Sequence, residues 1–440
     1  MFGWRGRLLR VNLTNGVIDR EALAPEDARD YLGGRGLGIY LHAKNVPAST
    51  APTDPENHLI FTTGPLTGTL APNGGRYTVV TRASAAGALM AASISGKWGP
   101  GLKSAGFDGI IFEGRAAEPA YLWVNDGAAE LRPAAHAKGK PVAETTDLLL
   151  KETDAKALVS CIGPAGENGL DCSVIVSDGF SAAGRGGAGA VMGSKNLKAV
   201  VVCGTEGFRM ADHSRFLKCA MELRSFMKVR AIALKGAWEH GPVLKADSLE
   251  WVPERKDSRA ARTRGCFGCA TSFSSFSSGD GRVLPLLAGS PSAEISERLS
   301  EYRQFVNWGL DYAAAKTILA ASGNGRDGSF AEMARKLASG DPLGQKDGED
   351  TLSAPIIDRG PCIADGYAIA PRIPAADGPD EAASDLMAIL DSTGLCPFLY
   401  AGISMDLISE LLGAATGIQF SRQEILQVAQ RISQSVRWTA

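Results

Sequence analysis

Residues 182–195 read AAGRGGAGAVMGSK, and the interpretation of the first half of the chain depends on this glycine-dense stretch. Its GRGGAG segment at 184–189 satisfies the GxGxxG pattern of dinucleotide-binding folds. That interpretation requires a strand that runs directly into the first glycine, whereas residues 179–183 separate Gly184 from the strand candidate at 173–177. We therefore expect this turn either to hold another phosphate group or to allow close packing.

The sequence on the N-terminal side of this stretch predicts a β-rich region. Residues 8–13 and 17–23 flank Asn15-Gly16, and Asn-Gly between two apolar runs is the strongest short-range signal for a hairpin. Glycine-dense connections, such as residues 33–38 and 64–68, separate the other strand candidates. Those candidates lie at residues 59–62, 77–81, 109–113, 121–124, 157–161, 173–177 and 197–203.

After residue 204 the apolar residues recur at spacings of three and four, the pattern of amphipathic helices. The predicted helices lie at residues 213–229, 312–321, 330–338, 381–390, 405–414 and 422–432. We expect irregular structure at residues 272–280 and 342–378, where periodicity is lost. The sequence thus predicts a β-rich domain at 1–207 and helical domain structure at 208–440.

Composition excludes several classes of protein. A net charge of -2 gives no charge-driven case for binding nucleic acid or a membrane surface. No apolar run approaches the ~20 residues of a membrane span, and the start of the chain lacks the pattern of a signal peptide. We therefore expect a cytoplasmic protein, in which the eight cysteines are buried thiols or metal ligands rather than disulfides.

Cys266 and Cys269 form a C-x-x-C pattern, with Cys362 and Cys396 far downstream. Such a pattern alone is compatible with a redox pair, with half of a metal site or with chance. The five histidines show no spacing typical of metal ligands, so each is interpreted as structural or as a surface residue.

Taken together and in order, six segments resemble the tungstopterin aldehyde ferredoxin oxidoreductase family. They are LGGRGL at 32–37, TGPLTGT at 63–69, PNGGRY at 72–77, LKSAGFDG at 102–109, IGPAGEN at 162–168 and the stretch at 182–195. The resemblance implies an α+β fold, with a β-rich N-terminal domain of the family's type followed by a reduced, mostly α-helical C-terminal region. The chain is shorter than typical members, and the shortfall lies in the helical region.

The resemblance also implies roles for individual residues. Two pterins that chelate one tungsten would lie on the β domain, beside a 4Fe–4S cluster. Arg76 would lie between pterin and cluster, and Cys266, Cys269 and Cys396 would be cluster ligands if a cluster is retained. The pterin-binding positions implied by the family are Arg76, Ser93, Ala182, Gly184, Arg185, Asp311 and Asp391.

Several positions depart from the family pattern. The third cysteine of the cluster motif is Phe273, and the first pterin motif begins with Val306 where the family has an aspartate. Ser93 and Ser181 replace an asparagine and an arginine near the phosphates. Ile363 occupies the position of the family's active-site histidine, and the family's active-site glutamate aligns only loosely with Glu294.

These losses affect phosphate, cluster and proton-transfer positions together. They favour an enzyme repurposed for cofactor-independent chemistry, such as cyclisation or proton transfer on a small organic substrate in specialised metabolism. Its polar site residues would be Arg76, Asp311, Asp391 and Glu294, and we expect no cofactor.

Two alternatives remain open. One is an aldehyde oxidoreductase that carries tungstopterin or molybdopterin and a modified 4Fe–4S cluster, and that passes electrons to ferredoxin. The other is a non-catalytic partner protein on the same scaffold. The family resemblance also implies a homodimer.

Overall fold

The computed structural model describes residues 1–84, 87, 89–179, 181–183, 186–240, 263–264, 266–269, 274–276, 283–285, 302–321, 330–340, 381–396, 399 and 403–437. Within these ranges the two large sheets lie before residue 204 and the longer helices follow, which confirms the α+β class. The domain boundary at residue 207 stays a prediction.

The first sheet has six strands in the order β2-β1-β6-β3-β4-β5. They are β1 (Arg7–Asn12), β2 (Val17–Ala22), β3 (Leu59–Thr63), β4 (Tyr77–Arg82), β5 (Leu89–Ile94) and β6 (Gly109–Glu113). The predicted Asn-Gly hairpin is confirmed, because β1 and β2 pair antiparallel from Arg7 with Ala22 to Asn12 with Val17. Only the pairing of β1 with β6 is parallel among the described strands of this sheet.

The second sheet also has six strands, in the order β11-β10-β9-β12-β7-β8. They are β7 (Ala120–Asn125), β8 (Ala128–Pro133), β9 (Leu158–Ile162), β10 (Ile175–Ser177), β11 (Ser181–Ala183) and β12 (Leu197–Cys203). Strands β12 and β7 run parallel, as β1 and β6 do in the first sheet. The sequence did not predict β5, β8 or β11, which are short or lack strict alternation.

One apolar core joins the two sheets. It contains Phe61 and Phe112 from the first sheet together with Leu122 and Val200 from the second, and all four are fully buried. Trp98 lies in the same core, with its ring 5.5 Å from that of Phe61 and its indole N–H donating to the Val200 carbonyl at 3.0 Å. A buried indole needs such a partner, so Trp98 fixes one sheet against the other.

Six helices accompany these strands: α1 (Pro25–Tyr31), α2 (Gly34–Asn45), α3 (Trp98–Ser104), α4 (Val142–Glu152), α5 (Pro164–Glu167) and α6 (Ala188–Ser194). The expectation that residues 33–38 form a connection is wrong, because α2 begins at Gly34. A Cβ at Gly38 would lie 2.6 Å from Val80 Cγ2, and one at Gly36 would lie 2.8 Å from Ile432 Cδ1. These glycines therefore allow α2 to pack closely between the first sheet and the C-terminal helix.

All six later helices that the sequence predicted are confirmed. They are α7 (His213–His240), α8 (Tyr312–Ala321), α9 (Phe330–Ala338), α10 (Glu381–Thr393), α11 (Met405–Thr416) and α12 (Arg422–Arg437). Ile389, Ile425 and Ile432 share one apolar core with Leu37 of α2, so α10 and α12 pack on the β domain through α2. No described helix is both long enough and apolar enough to cross a bilayer.

A third, antiparallel sheet consists of β13 (Thr263–Arg264), β14 (Ser274–Phe276) and β15 (Val283–Pro285). The expectation of irregular structure at residues 272–280 is therefore wrong for residues 274–276. Antiparallel pairing uses backbone groups, so it needs no side-chain periodicity. The other predicted irregular stretch, residues 342–378, lies outside the described residues.

His42 of α2 gives the fold a specific acid sensitivity. The side chain is fully buried, with Nε2 3.1 Å from Asn57 Oδ1, and burial lowers the pKa of His42 to about 4. Between pH 6.5 and 4 the unfolded chain binds a proton here that the folded chain does not, so stability falls as the pH falls. When the pH drops from 7 to 5, we expect the free energy of unfolding of His42→Gln to fall by roughly 2 kcal/mol less than that of the wild type.

Urea unfolding at the two pH values measures this difference. His58 remains in both proteins and serves as the internal control, because burial lowers its pKa to about 3. Identical pH dependence in variant and wild type would show that His42 is not neutral in the folded protein.

Candidate functional site

The site is built around the turn that follows β3. There, Gly64 and Leu66 contact the C-terminal end of α10 and the turn that follows it. A Cβ on Gly64 would lie 2.2 Å from the Thr393 carbonyl oxygen, so only glycine allows this approach. Leu66 N–H donates to that same oxygen at 3.0 Å. Gly394 has a φ of +85°, and a Cβ there would lie 2.0 Å from Thr67 Oγ1. The two turns are thus docked through backbone atoms.

Arg76 lies beside this junction and is 2% exposed. Its Nε donates to Ser93 Oγ at 2.9 Å and its Nη2 donates to the Ser93 carbonyl at 3.0 Å. The remaining Nη1 lies 3.7 Å from Cys396 Sγ and donates to it. A buried cation is thereby aimed at a sulfur atom, and Ser93 holds it in that orientation.

The C-x-x-C turn reaches the same loop from a distant part of the chain. Asn73 N–H donates to the Gly268 carbonyl at 3.0 Å, and Cys396 N–H donates to the Asn73 carbonyl at 3.0 Å. Within the turn, Cys269 N–H donates to the Cys266 carbonyl at 3.0 Å. The backbone of Asn73 therefore joins the C-x-x-C turn to Cys396, the cysteine that Arg76 contacts. Cys266, Cys269 and Cys396 are all half-buried.

The residue types match three of the four thiolates of an iron–sulfur cluster, in which each thiolate binds a separate iron. Among the described residues, no three His, Cys, Asp or Glu side chains are placed to hold one metal ion. A site for a single ion and a site for a cluster make different demands, so the two observations are compatible. Phe273 and Cys362 lie outside the described residues.

Asp391 lies in the last turn of α10, at the other side of the junction. Its Oδ2 is 3.8 Å from Arg35 Nη1, with side-chain exposures of 11% and 24%. Ser392 Oγ accepts a hydrogen bond from Gly36 N–H at 2.9 Å, so the turn also caps α2. Sequence reasoning identified Asp391 but missed Arg35, whose signal lay in the LGGRGL segment.

The predicted site residue Asp311 has a structural contact of its own. Its Oδ1 accepts a hydrogen bond from Ala314 N–H at 2.8 Å, at the start of α8. Asp311 is thus the N-cap of α8. Val306, at the position of the family's aspartate, is 3% exposed and packs in the same apolar core as Tyr302.

The edges of the two sheets meet near the site, at Ser95 and Ser181, whose hydroxyl oxygens lie 3.1 Å apart. Ala182 is buried in β11 and pairs with Val176. Gly184, Arg185 and Glu294, which the sequence predicts as site residues, and Ile363 lie outside the described residues.

Asp178 is a residue that sequence reasoning missed. It has a φ of +54° in the turn between β10 and β11, and its Oδ2 accepts a hydrogen bond from Lys97 N–H. Its Oδ1 is buried and has no hydrogen-bond partner within the described part of the chain. Burial raises the pKa of Asp178 to about 6, so it exchanges a proton close to neutral pH. The carbonyl oxygen of Gly96, the neighbour of Lys97, accepts a hydrogen bond from Phe267 N–H at 3.3 Å. This contact connects the surroundings of Asp178 with the C-x-x-C turn.

Lys103 of α3 contacts the Gly64-Pro65 turn of this junction and is 1% exposed. Its ammonium donates to the carbonyl oxygens of Gly3, Gly64 and Pro65 at 2.6, 2.9 and 3.2 Å. Burial lowers the pKa of Lys103 to about 8, which still leaves the ammonium charged at pH 7. Three donors meet three acceptors, so the turn at Gly64 is held by a buried charge.

Replacing Lys103 should therefore destabilise the protein. Lys103→Met removes three hydrogen bonds from a charged donor in the interior, and we expect a loss of about 2–4 kcal/mol in the free energy of unfolding. The exposed Lys151 in α4 provides the control, because Lys151→Met should change stability by less than about 0.5 kcal/mol. Urea unfolding of both variants checks this, and equal effects would contradict it.

Comparison with known proteins gives the relationships of the chain. The family model of the aldehyde ferredoxin oxidoreductase N-terminal domain matches residues 8–204, and the model of domains 2 and 3 matches residues 356–439. The tungsten-containing aldehyde ferredoxin oxidoreductase of Pyrococcus abyssi is 31% identical over 541 residues, which cover 98% of this chain and 88% of the relative. The enzyme of the same description from Thermococcus kodakarensis is 30% identical over 537 residues, with the same coverage.

Two further similarities extend this comparison. The WOR-like subunit of the aliphatic sulfonate oxidoreductase of Pyrococcus furiosus is 35% identical over 221 residues, covering 47% of this chain and 35% of the relative. A solved structure, the active site complex BamBC of benzoyl coenzyme A reductase with 1,5-dienoyl-CoA, matches with a TM-score of 0.78 and 24% identity. The match covers 100% of this chain and 89% of the chain in that structure, and at this identity it shows a shared fold alone.

The alignment with the Pyrococcus abyssi enzyme spans 541 positions although this chain has 440 residues, so the relative contains segments that this chain lacks. Neither family model matches residues 205–355, nearly all of which lie in the helical region, 208–440, where the sequence predicted the shortfall. Identity over nearly the whole length, two matched family models and the shared fold agree. The chain is a shortened member of the aldehyde ferredoxin oxidoreductase family.

Proposed function

We propose that the chain is an oxidoreductase of a small organic substrate, with an aldehyde as the most direct candidate. The observation that carries this proposal is the gathering of Cys266, Cys269 and Cys396 on the loop that bears Arg76. Phe273 argues against a complete cluster motif, but a loop that still collects three cysteines beside a buried cation is what an electron-transfer site needs. The names of the relatives support the same reaction class.

The residues present fit the implied cofactors in part. Three thiolates fit a cluster, and Asp391 with Arg35 offers polar groups for one pterin, whereas Val306 is packed in the core. A tungsten or molybdenum pterin, when bound, supplies the oxidation of the substrate carbon. Oxidation of an aldehyde with water to a carboxylic acid releases two electrons and two protons. We propose ferredoxin as the acceptor of those electrons.

Arg76 has a defined task in this proposal. A cluster ligated by thiolates carries negative charge, and a guanidinium that donates to Cys396 Sγ stabilises that charge where water is excluded. Ser93 fixes the guanidinium through two further hydrogen bonds, so the cation needs no reorganisation when an electron arrives or leaves. Lysine could not make this three-way contact, because it lacks the planar fork of donors.

Iron content tests the proposal. Protein expressed with iron–sulfur assembly and purified anaerobically should contain about three to four irons per chain, with an absorption band that bleaches on reduction. Cys396→Ser should lose most of the iron, because one of three protein ligands is removed. Cys203→Ser, at the end of β12, should retain it. Colourless wild-type protein without iron would remove the basis for an oxidoreductase.

A second function, cofactor-independent proton transfer, is favoured by Asp178. The pKa of this carboxyl group is raised to about 6, and the group is linked through Lys97 and Gly96 to Phe267 of the C-x-x-C turn. A carboxylate with such a pKa can act as a general base near neutral pH. The chemistry would be proton abstraction beside a carbonyl group, or a cyclisation that begins with it, as proposed from the sequence. Asp391, paired with Arg35, would hold the substrate rather than move its proton.

Hydrogen–deuterium exchange tests this second function on metal-free protein. A panel of small aldehydes and ketones in deuterated buffer should exchange the proton beside the carbonyl, at a rate that rises with pH through about 6, as expected for a base. Asp178→Asn should abolish the exchange and its pH dependence, whereas Asp311→Asn should leave both unchanged. Exchange that persists in Asp178→Asn would contradict the assignment of the base.

A further inference from the structure

The two sheets present two junctions that are built in the same way. The first half-site consists of residues 64–66 and 391–395, and the second consists of residues 163–165 and 306–310. In the first, Leu66 N–H donates to the Thr393 carbonyl at 3.0 Å, and in the second, Ala165 N–H donates to the Trp308 carbonyl at 3.1 Å. In both, a Gly-Pro turn follows a strand and receives a turn that contains a left-handed glycine.

The correspondence includes the close approaches of glycine. Gly394 has a φ of +85° and Gly309 a φ of +78°. A Cβ on Gly64 would lie 2.1 Å from the Thr393 carbonyl carbon, and one on Gly163 would lie 2.5 Å from the Trp308 carbonyl carbon. Each position of one half-site therefore has a counterpart in the other.

The second residue of each turn also has the same task. Ser392 Oγ accepts Gly36 N–H at 2.9 Å at the start of α2, and Asn307 Oδ1 accepts Ala143 N–H at 2.9 Å at the start of α4. Each half-site thus caps one helix on its own sheet. This equivalence aligns Asp391 with Val306, and it aligns Arg35 of α2 with Val142 of α4.

The half-sites differ in the chemistry of those aligned residues. In the first, Asp391 Oδ2 lies 3.8 Å from Arg35 Nη1. Arg35 Nε is buried, and no hydrogen-bond partner for it exists among the described residues. In the second, Val306 and Val142 are 3% and 1% exposed and belong to one apolar core. A charged pair in one half-site has an apolar pair as its counterpart in the other.

We propose that only the first half-site binds a ligand, so that the chain holds one pterin-type heterocycle rather than two. The edge of such a heterocycle carries N–H donors next to a carbonyl or ring-nitrogen acceptor. A carboxylate accepts from the donors, and a guanidinium donates to the acceptor. At the aligned positions the second half-site presents Val142 and Val306, whose side chains cannot hydrogen-bond, so the polar groups of that edge would be buried there without these two partners. This inference rests on the proposed function for the identity of the ligand.

Pterin content per chain tests the inference. The full chain, expressed in a host that makes the metal–pterin cofactor and purified anaerobically, should release one equivalent of pterin after oxidative extraction. Two equivalents would overturn the inference. If no pterin co-purifies, the probe is 6-carboxypterin, titrated into cofactor-free protein by fluorescence. Saturation at one per chain supports the inference, and no saturable binding overturns it.

Three variants locate the occupied half-site. Asp391→Asn and Arg35→Gln each remove a charged partner and should weaken binding of 6-carboxypterin by about tenfold or more. The control is Val306→Ile at the corresponding position of the second half-site, which should change the affinity by less than about twofold because no ligand lies there. Circular dichroism confirms folding of each variant. An equal effect of Val306→Ile and Asp391→Asn would overturn the inference.

Iron analysis of the same samples separates this inference from the proposed function. One bound pterin without iron would refute the electron-transfer site and leave the one-sided binding intact. Iron together with two pterins would refute one-sided binding and leave the oxidoreductase intact.

Discussion

The junction of sheet and helices depends on one buried ammonium group, that of Lys103. Its three hydrogen bonds end on carbonyl oxygens, two of them in the Gly64-Pro65 turn. An ammonium removed from water must find acceptors for all three protons, so this turn cannot shift without leaving a charge unsolvated. This turn packs against Thr393 and Gly394, which lie shortly before Cys396 in the chain. A single cation in the β domain thereby sets the position of a cysteine contributed by the helical region.

Local patterns in the sequence predicted the elements well, because their causes are local. Asn15-Gly16 specifies a tight hairpin, and the spacing of apolar residues specifies the six later helices irrespective of what they pack on. Strand β8 and helix α2 were missed for the opposite reason. Gly36 and Gly38 are poor helix formers, and only the closeness of Ile432 and Val80 explains why glycine is needed there.

The contacts of the predicted site residues could not be predicted from the sequence, and their roles stay predictions. Motif order identified Arg76, Asp391 and Cys396, and the structure joins Arg76 to Cys396 through one hydrogen bond. Nothing in the sequence around Asp178 signals its environment, because that environment comes from Gly96 and Lys97, which follow strand β5 of the first sheet. Asp311, which the sequence places in a pterin motif, accepts a hydrogen bond from Ala314 N–H and so caps α8, a contact that the motif did not indicate.

The docking of the two half-sites through backbone atoms has a consequence for how such proteins diverge and are classified. The close approach of the backbone turns depends on four glycines that have no Cβ: Gly64, Gly163, Gly309 and Gly394. Glycine has no side chain with which to bind a ligand. Substitutions at neighbouring positions can therefore change the chemistry of one half without affecting the other or the scaffold. Similarity scores dominated by these glycine turns report descent and architecture. Assigning a reaction within the family requires comparing the few side chains that the turns present, half by half.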